Sequence, residues 1–272
     1  LCVKQCPRPK VVLKEGKAFV TNSNDCIACG HCYAVCPTQA LLAENEQKPH
    51  LLKDTSYSFE NLVALFEKRR SHRLYQKKEL SLEVLLKLEE LAKTAPTGTN
   101  ARSLQFIWVQ GEEKIAHLTK GIMKVYQRLK KLMNNPIIRF LVGLFDQRAK
   151  SLSLRRDLNR MVHRYQKGED PLFHFAPCVL LVCALKEESS TPQQDADFAL
   201  YQMVLGAETL NIGTCINGLA LIGFKFNKKL KKFLKFKKNL KPYACATFGY
   251  PEYPFVSKVF HDPFLSNLQN FS

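Results

Sequence analysis

Cys26-Ile27-Ala28-Cys29-Gly30-His31-Cys32-Tyr33-Ala34-Val35-Cys36-Pro37 holds four cysteines and a proline in the run C-x2-C-x2-C-x3-C-P. At this spacing three thiolates wrap one corner of an iron–sulfur cube, while the fourth reaches away to a second cluster. Cys2, Cys6 and Pro7 repeat Cys32, Cys36 and Pro37 at a constant offset of 30 residues, so the motif is an internal duplication. In that arrangement Cys6 completes the cluster held by Cys26, Cys29 and Cys32, and Cys36 joins Cys2 on the other. The other cluster's two remaining ligands are expected before residue 1, because the chain opens on Leu1 as a fragment lacking its start would. One 4Fe-4S cluster is thus fully liganded by these residues, and two are expected in the intact protein. A zinc site or a disulfide staple is the competing account, but zinc favours two separated C-x2-C pairs over a triplet followed by C-x3-C-P.

Outward from this motif, 272 residues allow one large domain, or a small one beside a medium one. Apolar residues at 46% suffice for a buried core, which excludes a disordered or collagen-like chain. No signal-peptide pattern is recognisable. The longest apolar stretch, Ile137 to Phe145, is interrupted by Arg139 and falls short of the ~18 residues that cross a bilayer. Cys178, Cys183, Cys215 and Cys245 sit in apolar sequence as reduced core residues, and a reducing cytoplasm suits them and the cluster cysteines alike.

The formal net charge of +17 is uneven: Lys225 to Lys241 holds nine lysines and no acid, and Lys120 to Lys167 sets thirteen Lys and Arg against Asp146 and Asp157. Such fields attract an acidic redox protein, a phosphate-bearing cofactor or an anionic surface, or are simply solvated helix faces. Phe226, Leu230, Phe233 and Leu234 form one apolar stripe at helical spacing within the second field. No zinc finger, aromatic RNA-binding signature or helix-turn-helix pattern accompanies the charge, so nucleic acid is not an expected partner.

Residues 1–50 read as a small domain folded around its clusters, with strands at Val11–Leu13 and Ala18–Val20 about Glu15-Gly16. Residues 51–57 form a linker, and 58–272 a second domain. There Ser58 caps a helix with Leu62, Leu65 and Phe66 on one face. Ser81 starts another, whose buried side is expected at Leu82, Leu85, Leu86 and Leu91. Strands are predicted at Leu104–Val109, Cys178–Ala184 and Tyr243–Tyr250, and a long helix at Asp195–Leu210. The basic region 112–167 reads as two or more helices broken near Asn134-Asn135-Pro136, and Thr214–Gly223 as a Gly-punctuated loop with a short apolar segment. The mixture lacks a regular βαβ rhythm, so the fold class is α+β.

Four strings in this second region, in order, resemble landmarks of the nitroreductase family of FMN-dependent enzymes over roughly residues 58–260. They are Arg69-Arg70-Ser71-His72-Arg73-Leu74-Tyr75, Ala95-Pro96-Thr97-Gly98-Thr99-Asn100, Gly213-Thr214-Cys215 and Phe248-Gly249-Tyr250-Pro251. The resemblance implies a nitroreductase-like α+β fold with a mixed sheet and surrounding helices, preceded by a ferredoxin-like domain. The first string has a physical logic of its own: three arginines and a serine within five residues offer charge-assisted, bidentate hydrogen bonds to a dianionic phosphate. An exposed basic helix end is the plainer account of it. By resemblance Arg69, Ser71 and Arg73 hold the FMN phosphate and ribityl end with Arg70 close by. Pro96, Thr97, Gly98 and Asn100 meet the flavin from a neighbouring subunit of a homodimer. The backbone of Cys215, Ile216, Asn217 and Gly218 passes over the ring and donates to its N5. Asn217 stands where some members carry an acid, and Cys215 reads as a packed residue rather than a nucleophile. Lys258 is the one basic candidate after the last strand; the expected arginine partner is absent.

The function so implied is a flavin oxidoreductase passing electrons from iron–sulfur clusters through FMN to an electrophilic small molecule such as a nitroaromatic or quinone. The donor is an acidic ferredoxin or flavodoxin, or NAD(P)H, although no Gly-rich dinucleotide fingerprint occurs. A non-catalytic electron relay needs the same cofactors and is the alternative. A membrane-associated quinone reductase, lying on a bilayer through Pro136–Phe145, is a third reading; a helix packed on the dimer or over the flavin cleft accounts better for that stretch. None of the seven histidines shows a metal-ligand or triad pattern.

Overall fold

The computed structural model describes residues 1–21, 24–41, 52, 55–137 and 152–259, without the side chains of 152–155. Parts of the expected linker (Leu51, Lys53, Asp54) and most of the apolar stretch before Phe145 lie outside the described residues.

The first 41 residues form the helical turn α1 (Cys2–Gln5), a hairpin of β1 (Val11–Lys14) and β2 (Lys17–Val20), and the turn α2 (His31–Ala34). Glu15 and Gly16 both take positive φ (49° and 76°), the backbone that a two-residue hairpin turn requires. Among the described residues of this stretch only Val11 is buried, at 3% exposure, so it has no apolar core to fold on.

The core lies in the remainder. Helix α3 (Phe59–Lys68) is capped by the Ser58 hydroxyl, which accepts the Asn61 N–H at 3.1 Å. Helix α4 (Leu82–Ala92) starts likewise at Ser81. After a single 3-10 turn at Gly98–Asn100 come β3 (Gln105–Gln110), α5 (Glu112–Asn134), α6 (Leu152–Gln166), β4 (Cys178–Leu185) and α7 (Pro192–Thr209). Then follow β5 (Gly213–Ile216), α8 (Gly218–Phe226), α9 (Lys228–Phe233) and β6 (Leu240–Gly249). The four strands lie in the order β3-β4-β6-β5, each neighbouring pair antiparallel, and a parallel bridge from Ser71 to Thr214 extends the β5 edge. The fold is α+β.

Central strand β4 is buried from Cys178 through Ala184, as a strand covered on both faces must be. Its alternation sorts the core into two layers. Val179, Leu181 and Cys183 face Leu118, Ile122, Met123, Phe173 and Phe224. Cys178, Leu180 and Val182 face Leu88, Leu200, Met203 and Phe248.

Three local expectations need correction. Helix α4 buries Leu85, Leu88 and Ala92, whereas Leu82, Leu86 and Leu91 are exposed, because its packing against α7 selects a face that four leucines alone leave ambiguous. The stretch Thr214–Gly223 is largely β5 and the start of α8, a helix too apolar all round to show a period. Of the stripe Phe226, Leu230, Phe233 and Leu234, Leu230 alone is fully buried. Among the described residues no helix is long and apolar enough to cross a membrane.

Candidate functional site

The six N-terminal thiols divide between two cavities. Cys6, Cys26, Cys29 and Cys32 line one, and Cys2 and Cys36 line the other, the same partition that the duplicated spacing predicts. Among the described residues no three His, Cys, Asp or Glu side chains gather as ligands of one ion. Four thiols spread around a void suit a cube with iron at alternate corners better than a single tetrahedral zinc. Nearby donors lower the pKa of two of these thiols, whereas burial raises that of Cys32. The Lys10 N–H, 3.3 Å from the Cys6 sulfur, holds that thiol below its usual pKa. The Thr38 hydroxyl, followed by the Ala40 N–H at 3.2 Å, lowers Cys36 to about 7. These residues fit the clusters expected of them.

The arginine string runs from the end of α3 along the free edge of β5. The His72 N–H donates to the Thr214 carbonyl at 2.8 Å, the Gln76 N–H to Tyr250, and the Glu252 N–H to Leu74. Beneath it the Tyr75 hydroxyl meets the His72 carbonyl at 2.7 Å and the Thr247 hydroxyl at 2.8 Å. Burial pushes the Tyr75 phenol well above its usual pKa, so it stays a neutral link. This pairing sets Ser71 beside Thr214, next to Cys215, and the Arg73 and Arg69 charges act on the Cys215 thiol. Burial still raises the Cys215 pKa, as expected of a packed residue. Arg69, Ser71, Arg73 and Cys215 are therefore assembled by one chain. The Arg70 Nε is buried with no hydrogen-bond partner among the described residues, and nearby Glu208 is the buried acid, its pKa raised by burial. Clustered guanidinium groups with an orphaned donor and one reluctant carboxylate fit an anionic phosphate. Lys258 also returns to this end, 3.1 Å from Glu67.

The approach of β5 to this string depends on Gly213. A Cβ there would sit 2.6 Å from the His72 ring. Gly213→Ala should therefore cost about 1–3 kcal/mol of stability in urea titrations, the scale of core overpacking.

Comparison with known proteins follows the same division. Residues 66–250 match the profile of the nitroreductase family, more than half of the chain. The chain belongs to the nitroreductase family. Residues 1–41 match a 4Fe-4S dicluster domain. A nitroreductase with bound FMN from Desulfitobacterium hafniense has a TM-score of 0.55 at 20% identity, covering 76% of this chain and 97% of that one. One from Bacteroides fragilis, also with bound FMN, has 0.53 at 18%, covering 76% and 98%. Oxidised iodotyrosine deiodinase bound to FMN and 3-iodo-L-tyrosine has 0.52 at 21%, covering 77% and 100%. At these identities the likeness is one of fold. An uncharacterised ferredoxin of Methanocaldococcus jannaschii is 40% identical over 45 residues, 16% of this chain and 73% of that one.

Within this nitroreductase-family chain the Pro96–Asn100 loop lies apart from the cradle. The Gly98 N–H donates to Asp195 at 2.9 Å, near the start of α7, whereas the Lys68 ammonium reaches the Glu208 carbonyl near its end. A helix of that span separates the two by about 20 Å. The Pro96–Asn100 loop thus does not meet Arg69, Arg70 or Arg73 of its own chain. Thr97 instead accepts the Arg102 N–H, and Asn100 turns to the cluster loop, donating to the Ile27 and Ala28 carbonyls at 2.9 and 3.0 Å. Asn217 caps α8 through the Ala220 N–H and donates to the Leu172 carbonyl, so its side chain is committed to the scaffold. Ile216 is about half exposed, and the Cβ side of Gly218 is open, leaving the backbone there approachable.

His174 had no sequence signal. Its loop is pinned by Asp170, whose carboxylate accepts the Leu172, Phe173 and Phe175 N–H groups, and by the Asn217 amide. His174 and Phe175 both hold positive φ, unusual for such residues, and His174 lies within the field of Arg73. Burial lowers its pKa against the opposing pull of the Asp170 carboxylate, with Arg73 a smaller cause. A cavity of about 860 Å³ between Lys77–Glu79, α5 and this loop contains none of the predicted cofactor residues.

Proposed function

We propose that this chain is an FMN-dependent oxidoreductase of the cytoplasm, passing electrons from iron–sulfur clusters through FMN to an electrophilic small molecule such as a nitroaromatic or quinone. The observation that carries this reading is the assembly of Arg69, Ser71 and Arg73 against Cys215 on the β5 edge, beside an orphaned Arg70 donor, in a chain that also presents two thiol-lined cavities. Residues 1–50 form the cluster unit, 51–57 the linker, and 58–272 the flavin unit. FMN, when bound, takes up single electrons and delivers pairs. Arg69, Ser71 and Arg73 would hold its phosphate, Lys258 could leave Glu67 to join them, and the backbone of Cys215–Gly218 would be available to its ring. All ten cysteines are free, in keeping with a reducing compartment.

The working unit is a homodimer. Helix α3 buries none of its residues, and Phe59, Leu62 and Phe66 join Phe198 and Tyr201 of α7 in an open apolar face, with Phe66 stacked on Tyr201. An exposed patch of this kind marks an interface. A two-fold axis crossing α7 sets the two copies of that helix antiparallel. The Pro96–Asn100 loop, at the start of one α7, then meets the arginine cradle at the end of the other. The electron donor is an acidic ferredoxin or flavodoxin drawn to the basic groove of Lys124, Arg128, Lys130 and Lys131, or NAD(P)H.

The test is anaerobic purification with iron, sulfide and flavin analysis. Reduction by ferredoxin, flavodoxin or NAD(P)H is then followed with a nitroaromatic or quinone present. Flavin and cluster together with turnover is the expected result. Cofactors without turnover of any acceptor would assign the chain to electron relay, and a colourless protein would end the proposal.

A further inference from the structure

Asn100 joins two parts of the molecule that the sequence keeps 72 residues apart. Its amide nitrogen donates to the Ile27 and Ala28 carbonyls, and Ile27 is part of the wall of the cavity lined by Cys6, Cys26, Cys29 and Cys32. The amide's orientation is fixed chemically. The Arg102 guanidinium can only donate, and it donates to the Asn100 oxygen at 3.1 Å, which leaves the nitrogen to face the two carbonyls, which can only accept. The backbone supports the clamp: Asn100 and Ala28 both hold positive φ (57° and 48°), a conformation Asn tolerates and Ala seldom adopts. The same loop is anchored to Asp195, about 20 Å along α7 from the cradle of its own chain. In cis, therefore, the first cluster cavity is tied to the wrong end of the helix for flavin.

We propose that Asn100 is a positioning residue that clamps the cluster loop of its own chain onto the flavin site of a second copy, so that each flavin is reduced from the partner's cluster. This rests on the dimeric flavin reading above. A low-potential one-electron donor of the ferredoxin class reduces the cluster. One electron leaves the cluster at each crossing of the subunit boundary, and two crossings, with protons drawn from water, complete the reduction of one flavin.

Mixed dimers separate this route from a route within one chain. In the first, one copy carries Cys26→Ser with an intact cradle, and the other carries Arg69→Ala and Arg73→Ala with an intact cluster. Its single flavin faces the partner's cluster, so flavin bleaching by reduced ferredoxin stays fast, and the flavin fluorescence lifetime, which needs no turnover, stays quenched. In the second, all three substitutions lie on one copy beside a wild-type chain, and both signals are lost. The reverse pattern overturns the crossing. Dimers that bind no flavin, or a monomer, would instead overturn the reading on which it rests. Collapse of the cluster unit in the Cys26→Ser copy leaves the comparison intact, because only the loss of that cluster matters. Asn100→Asp turns the donor into an acceptor facing two carbonyls. Placed on the cluster-bearing copy of the first dimer it slows bleaching about tenfold, the scale of two lost hydrogen bonds. The same substitution on the flavin-bearing copy, whose own cluster is already lost and whose loop faces the emptied cradle, is the comparison, and equal slowing from both placements would refute a clamping role.

Discussion

Alanine at both Arg69 and Arg73 is expected to weaken FMN binding by about a hundred- to ten-thousand-fold. The range follows from two charge-assisted hydrogen bonds of about 1.5–3 kcal/mol each, at about 1.4 kcal/mol per tenfold in affinity. Arg73 is exposed and Arg69 half-buried, and neither helps fill the core clusters, so the apoprotein should melt where the parent apoprotein does. Lysine at both sites should give an intermediate loss, since it keeps the charge and gives up the planar fork. The second proton of a phosphate monoester is held with a pKa of about 6. Affinity should accordingly stand above that pH and decline as pH falls through it. Fluorescence titration of the apoprotein with FMN measures all of this, and an undiminished affinity in the alanine variant would remove the arginine cradle from the argument.

Cys32→Ser is expected to abolish the cluster lined by Cys6, Cys26, Cys29 and Cys32, and to unfold residues 1–41 while leaving the rest standing. Only Val11 is buried among the described residues of that stretch, so the metal centre must supply the folding energy that apolar contacts elsewhere provide. Phe173, Leu118 and Met203, each fully buried, hold a core independent of it. Iron and sulfide should fall, and limited proteolysis within 1–41 should accelerate about tenfold or more as that unit opens. The principal thermal transition should remain. Loss of that transition as well would mean that the two units share their stability.

Covalent spacing made some of this molecule legible without coordinates. The thiol partition is set by gaps of two and three residues within turns, and the two cavities reproduce it. Arg69, Ser71 and Arg73 were legible as a group because they lie within five residues of one another. Caps at Ser58 and Ser81 are equally local. What failed depends on neighbours distant in sequence. Leu82, Leu85, Leu86 and Leu91 leave the buried face of α4 ambiguous, and only α7 packed against it decides for Leu85 and Leu88. Strand β5 is four residues long, and its identity comes from pairing with β6 and with Ser71. His174 reaches the Arg73 field through a loop folded around Asp170, which no spacing announces. Asn100 is expected at the flavin by resemblance, and its partners Ile27 and Ala28 belong to another part of the chain, which no local spacing announces.

The sulfur inventory has a practical corollary. Cys178, Cys183 and Cys245 lie fully enclosed, and burial raises their thiol pKa values, that of Cys183 to about 12, so oxidants and alkylating reagents find them inert. The cysteines at the front of the molecule have no such shelter. A sample ageing on the bench should lose its brown colour and gain sulfinic and mixed-disulfide adducts at those positions alone. Its calorimetric trace should change little, so mass spectrometry rather than a melting curve is the gauge of its freshness.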